Sequence, residues 1–187
     1  MINNEILREY DIRGIYGSSL TIKDIDLIGR SLASLLINNN MTNIIIGHDG
    51  RDSSLEIKNL LIGSIIKMGI DVSDISLVPT PICYFATKKL NISNSIMITG
   101  SHNPQEYNGF KIIINDDSLY GKQIKDLNNI EIHNESNTKG LITYVDILDT
   151  YIDEILTRVN IIKDLKIVWD IGNGVIGSID RKSTRLN

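Results

Sequence analysis

Residues 95–114 read Ser95-Ile96-Met97-Ile98-Thr99-Gly100-Ser101-His102-Asn103-Pro104-Gln105-Glu106-Tyr107-Asn108-Gly109-Phe110-Lys111-Ile112-Ile113-Ile114. Two apolar runs, 95–99 and 109–114, each have the length of a strand. Between them Gly100–Pro104 suits neither helix nor strand. The segment therefore predicts a strand, a polar loop and a second strand.

Upstream, the apolar period changes from two to 3.6 and back. Ile22, Ile25, Ile28, Leu32, Leu35 and Leu36 lie at helical spacing, and Asn38-Asn39-Asn40 stops them. Thr21 with Asp24 three residues on predicts a capping box. Ile44-Ile45-Ile46 predicts a short buried strand closed by Gly47. A second helix is expected from Ser53, with Glu56 again in the capping-box position and Gly69 as its stop. Ile75–Val78 reads as a strand, Pro79 and Pro81 as a turn or helix start, and Ile82–Leu90 as a short helix. Downstream, 121–130 suits a short helix and 131–140 a polar linker. Leu148, Tyr151, Ile152, Ile155, Leu156 and Val159 trace a further amphipathic helix, and Leu165–Trp169 a last strand. Strands separated by helices imply an α/β fold with a largely parallel or mixed sheet. The domain boundary falls between Glu131 and Leu165. The tail Asp180–Arg185 is polar on every side where a helix should bury a face. The chain is thus expected to be a fragment, with 180–187 not its native continuation.

Composition narrows the function classes. Of 187 residues, 42% are hydrophobic and 22% charged, as in soluble globular proteins and unlike disordered chains. The net charge of −4 gives no basic footprint for nucleic acid. A single cysteine, Cys83, excludes an intramolecular disulfide. Its neighbours Ile82, Tyr84 and Phe85 predict a buried structural thiol. Ligand-type clusters are too few for structural zinc. Met1–Tyr10 has no apolar core and carries Glu5, Arg8 and Glu9, unlike a secretory signal. No run approaches the ~20 apolar residues of a membrane span. A cytoplasmic protein with no membrane partner is expected.

Four loops could carry chemistry. In Gly100–Pro104, Gly100 frees the backbone beside Ser101, a potential nucleophile or phosphate carrier. His102 and Lys111 offer proton transfer or charge stabilisation. A polar hairpin turn explains the same residues. In Arg8–Gly14, Arg13 could present a planar fork to a phosphate, or the segment is an edge strand with solvated charges. Gly47-His48-Asp49-Gly50-Arg51-Asp52 suits a site loop or any Asp- and Gly-rich turn between strand and helix. Gly172–Gly177 matches G-x-G-x-x-G, but the sequence ends before the acidic residue due about 20 positions on, and a tight turn is favoured over a nicotinamide site. A serine hydrolase reading lacks the Gly-x-Ser-x-Gly elbow, and adjacent residues on a turn rarely pair a base with its neighbour's hydroxyl. His133 sits in the polar stretch and is expected to be solvated. Tyr107 and Phe110 are expected to pack.

The order of these loops resembles the α-D-phosphohexomutase family. The motifs are Tyr10-Asp11-Ile12-Arg13-Gly14, Gly47–Arg51, Pro79-Thr80-Pro81, Thr99–Pro104, Asn108-Gly109-Phe110-Lys111 and Asp170–Gly174. The wording of the first and the serine motif is similar to the phosphomannomutase/phosphoglucomutase branch. His48 departs from the Arg that many members carry there. The resemblance implies a three-layer α/β domain I over 1–135, then a linker helix and a truncated start of domain II over 136–187. It implies an intramolecular phosphotransferase that interconverts hexose 1-phosphate and hexose 6-phosphate. Ser101 would be the phosphoserine, and a hexose 1,6-bisphosphate the intermediate. Lys111 and Arg13 match catalytic positions, His102 joins them, and Tyr10, Gly100 and Asn103 would shape the phosphate and substrate loops. Mg²⁺ would bind Ser101 through its phosphate, with aspartates from an Asp-Gly-Asp-x-Asp-Arg loop that these residues lack. The isolated chain is therefore expected to be inactive, with a non-catalytic sugar-phosphate binding domain as the alternative. Oligomeric state is not legible.

Overall fold

The computed structural model describes residues 1–159, 166, 168, 170–172 and 174–177. The strand expected at Leu165–Trp169 falls mostly, and the tail 180–187 wholly, outside the described residues.

The described elements run β1 (Ile12–Ile15), α1 (Ile22–Asn38), β2 (Asn43–His48), α2 (Ser54–Lys67), β3 (Asp71–Leu77), α3 (Thr80–Leu90), β4 (Ser95–Ile98) and β5 (Tyr107–Ile114). They continue with β6 (Asp117–Ser118), α4 (Lys122–Lys125), β7 (Ile142–Tyr144) and α5 (Leu148–Arg158). The strands form one mixed sheet in the order β1-β5-β4-β2-β3-β7, with β6 beside β5. β2 is parallel to β3 and β4, and β7 is parallel to β3. β5 is antiparallel to β1, β4 and β6.

Helices cover both faces, because the central strands are apolar on both sides. Successive side chains of a strand point to opposite faces. Ile44 and Ile46 accordingly enter the core under α1 and α2, with Ile96, Ile98 and Phe110. Ile45 and Met97 enter the second core, with Ile82, Cys83 and Ala86 of α3. Tyr151 of α5 closes that core edge-on against Phe85, ring centres 5.2 Å apart. The chain is thus a three-layer α/β structure, as expected.

Local signals explain most boundaries. The capping box at α1 forms: Thr21 Oγ1 accepts from the Asp24 amide, and Asp24 accepts from the Thr21 amide. Burial pushes the Asp24 carboxyl up, but hydrogen bonds from Thr21 and the Asn3 amide, with Lys23 nearby, outweigh it and hold it below its ordinary value. The second capping box, at Ser53 and Glu56, does not form. Ser53 already has helical dihedrals, and its Oγ accepts instead from Asn108 Nδ2 at 2.9 Å. β3 starts at Asp71, four residues before the apolar run that marks it in the sequence. Residues 121–130 divide into α4 and a 3₁₀ turn, Asp126–Asn129.

A buried ion pair ties α2 to β3. Lys58 Nζ donates to Asp74 Oδ2 at 2.6 Å, and Asp74 Oδ1 accepts from the Ser76 amide at 2.8 Å. Ser76 sits in left-handed backbone where the β2–β3 register shifts. The pair pins the bulge that delivers Val78 and Pro79 to the carboxyl end of the sheet.

Candidate functional site

The parallel strands β2, β3 and β4 end on one side, where α/β sheets bind ligands. Their following loops meet there around a cleft of about 590 Å³ lined by Asp49, Arg51, Thr80, Thr99, Ser101 and Asn103, among others.

Ser101 is exposed on the loop after β4, with φ +55. Left-handed backbone is costly for a residue with a Cβ, on the order of 1 kcal/mol, and persists only where neighbours enforce it. The neighbours are visible. The Ser101 amide donates to Thr99 Oγ1 at 2.9 Å. The Asn103 amide and Nδ2 both donate to Gly100 O, at 3.1 and 2.9 Å. The Gly100 amide donates to Asp49 Oδ2 at 3.2 Å.

Arg51 closes the loop. Nη1 donates to Pro104 O (2.6 Å) and Tyr107 O (3.0 Å). Nη2 donates to Ser101 O (2.9 Å) and Asn103 O (2.7 Å). Nε lies 3.3 Å from Asp49 Oδ2. Gly100 is required beneath it: a Cβ there would stand 2.4 Å from Arg51 Cζ and 2.6 Å from Tyr107 O. Asp49 Oδ1 in turn accepts from the Arg51 amide and from Ser54 Oγ. Below the loop, fully buried Asn108 donates to Ser53 and Ser54 and accepts from the Gly109 amide.

His102 Nδ1 lies 3.3 Å from Ser101 Oγ. Neighbouring positions on a turn rarely meet in this way, and the left-handed Ser101 brings the two groups together. Among the described residues no carboxylate orients the His102 ring, so the hydrolase triad is not assembled.

Arg13 and Lys111 approach by another route. Thr99, just past β4, Gly109 of β5 and Arg13 of β1 form a row. Gly109 admits the β1 backbone, since a Cβ there would meet Ile12 O at 1.9 Å. Arg13 Nη2 donates to Asp11 Oδ2, and Lys111 Nζ lies 3.6 Å from the same oxygen. Asp11 is buried. Lys111 also lines a separate hollow of about 440 Å³ with Tyr10, Tyr84 and Tyr120. Burial, with Cys83 adding to it, pushes the Tyr84 hydroxyl up. The expected residues thus fall into two groups: Gly100, Ser101, His102 and Asn103 on one loop, and Tyr10, Arg13 and Lys111 around Asp11 and the hollow. The sequence gives no individual role to Asp11, Asp49 or Arg51; each also engages a group far along the chain, Lys111, the Gly100 amide and the serine-loop carbonyls respectively.

The remaining motifs settle into support. His48 Nδ1 turns back to Asp49 O at 2.8 Å. Gly172 has φ +51 and the Gly174 amide donates to Ile171 O, a tight turn. Val175 and Ile176 of that turn line the cleft, while Asn173 lies outside the described residues. His133 is exposed, Phe110 and Cys83 are buried, and Tyr107 is half-buried.

A divalent cation needs several oxygen donors converging on Ser101. Ser101 offers one oxygen, and Asp49, the carboxylate bonded to its loop, is engaged by Gly100, Arg51 and Ser54. Among the described residues no three His, Cys, Asp or Glu converge. These residues do not form a cation site by themselves. No helix of the described residues is long and apolar enough to cross a membrane.

An α/β/α domain presenting an exposed serine on an arginine-braced loop at the carboxyl end of its sheet defines the structural class. The family model described as phosphoglucomutase/phosphomannomutase, alpha/beta/alpha domain I, matches residues 4–139. A phosphomannomutase/phosphoglucomutase of Pseudomonas syringae pv. tomato is 41% identical over 180 residues, covering 96% of this chain and 39% of the relative. A phosphoglucomutase of Neisseria meningitidis serogroup A is 37% identical over 184 residues, covering 97% and 40%. A solved phosphoglucomutase/phosphomannomutase family protein from Burkholderia thailandensis superposes with a TM-score of 0.88 at 31% identity, covering 99% of this chain and 42% of that one. The chain belongs to the phosphoglucomutase/phosphomannomutase family. It spans about two fifths of the length of the relatives it matches.

Proposed function

We propose that this chain is the phosphoryl-carrying part of an isomerase that interconverts hexose 1-phosphate and hexose 6-phosphate. Ser101 carries the phosphate. Its P–Oγ bond breaks as a bond forms from phosphorus to the free hydroxyl of the sugar phosphate, which loses its proton while the departing Ser101 Oγ takes one up. A hexose 1,6-bisphosphate results, turns over, and returns its other phosphate to Ser101. Such transfer depends chiefly on positioning and on charge stabilisation.

The observation that carries this reading is Ser101 itself, exposed and held at φ +55. His102 Nδ1 stands where it can exchange a proton with Ser101 Oγ. Lys111 and Arg13, held by Asp11, supply the acid/base and cationic roles. Tyr10, Gly100 and Asn103 shape the substrate side and the loop. Mg²⁺ bound to the Ser101 phosphate would offset its charge, with carboxylates supplied from beyond the described residues. The 187-residue chain alone is proposed not to turn over.

The test is a chimera in which residues 1–159 replace the matching part of the Pseudomonas syringae relative. Conversion of glucose 1-phosphate that is abolished by Ser101→Ala supports the reading. A Ser101→Ala chimera as active as its unsubstituted parent contradicts it.

A further inference from the structure

A guanidinium has five N–H donors in a rigid fork and no acceptor. In Arg51 the four terminal donors are hydrogen-bonded, and Nε lies at ion-pair distance from a carboxylate. Two reach Pro104 and Tyr107 carbonyls, two reach Ser101 and Asn103 carbonyls, and Nε faces Asp49. An arginine beside a phosphorylated serine invites assignment as a phosphate clamp. Here the loop takes all four terminal donors, and Nε is turned to Asp49, away from that task. The four carbonyls span residues 101–107, so one side chain fixes the whole loop. Its own position is fixed in turn, because Asp49 also binds the Arg51 amide, the Gly100 amide and Ser54. The guanidinium lies over Gly100, where no Cβ intervenes.

We propose that Arg51 is the positioning residue of the serine loop, holding Ser101 in its left-handed conformation while leaving the transferring phosphate to other cations. Its role in catalysis rests on the function proposed above, but the bracing itself does not. A lysine cannot replace it, since one ammonium has three donors on a point charge and cannot reach four carbonyls.

The test has two arms. Amide hydrogen exchange is measured on the full 187-residue chain, wild type, Arg51→Lys, Arg51→Ala and Asp49→Asn. Exchange at Gly100, Ser101, Asn103 and Tyr107 is expected to rise about tenfold or more in the Arg51 variants, with the β2–β4 ladder unchanged. Free guanidinium is expected to restore protection in Arg51→Ala. Asp49→Asn, which keeps its shape, gives a smaller rise at the same amides. Loop exchange unchanged in all three folded variants would overturn the proposal. The second arm uses the chimera, where Arg51→Lys is expected to lower kcat with KM for glucose 1-phosphate unchanged. A raised KM at unchanged kcat would make Arg51 a phosphate ligand and refute the positioning role. An inactive chimera with Arg51 intact would count against the proposed function alone, and the exchange arm would still decide the brace.

Discussion

Lys111, on β5, reaches to within 3.6 Å of Asp11 Oδ2 at the head of β1, an oxygen that Arg13 already uses. One buried carboxylate therefore sets the position of two cations from two strands. Removing it leaves both without that partner in a partly buried place. Asp11→Ala is expected to cost about 1–3 kcal/mol of stability, the range for a charged partner lost where screening is incomplete. Urea denaturation measures it. A change within a few tenths of a kcal/mol would show the cluster to be solvated instead.

Gly109 lies where β1 crosses closest to β5. Its missing Cβ would stand 1.9 Å from Ile12 O, a backbone atom that cannot step aside. Gly109→Ala is expected to unpair β1 and cost about 3 kcal/mol or more. Thermal unfolding and loss of exchange protection along β1 would register it together. An alanine variant as stable as wild type would contradict the register.

Thr21 and Asp24 make a pH-dependent cap. Thr21→Ala is expected to cost about 1 kcal/mol. Asp24 titrates lower in the folded chain than its ordinary value of 3.8, so the unfolded chain binds the proton first as pH falls. Its contribution is complete above that value and is lost as pH drops through the folded one. The stability gap between wild type and Asp24→Asn is expected to be full at pH 7 and to shrink below about pH 4. A gap that widens in acid would reverse the sign of this account.

Cys83 is fully buried, and burial, weakly opposed by a bond with Ser95, pushes its thiol up to about 12. The thiolate is the reactive form. Native protein at pH 8 is expected to resist a chromogenic disulfide reagent and to react promptly in urea. Prompt reaction of the native chain would place Cys83 at a surface.

The sequence carried the fold wherever the signal was local. α1 has both a 3.6-residue period and a complete cap, and it forms as read. Ile44-Ile45-Ile46 names a strand buried on both faces because no polar side chain interrupts it. Signals fail where a distant residue intervenes. Ser53 has the spacing of a cap, but Asn108, 55 residues on, takes its hydroxyl. β3 begins with Asp71, Ser73 and Asp74, whose polarity hides the strand until Lys58 pairs Asp74 inside. β7 is fully exposed and lies just past the polar stretch, so no apolar period announces it. The same division holds at the site. Ser101 and its neighbours stand together in the chain and are legible as a unit. Arg51 is not, because its task is set by carbonyls 50–56 residues away.

The central claim is that Ser101 carries the phosphate, and its most direct test is to find that phosphate. The chimera is incubated with glucose 1,6-bisphosphate, and its peptides are mapped by mass spectrometry. The account predicts near-stoichiometric phosphate on Ser101, exchanged for labelled phosphate when glucose 1-phosphate labelled in its phosphate is added, and absent in Ser101→Ala. Phosphate on another residue, or active chimera with none on Ser101, would contradict it.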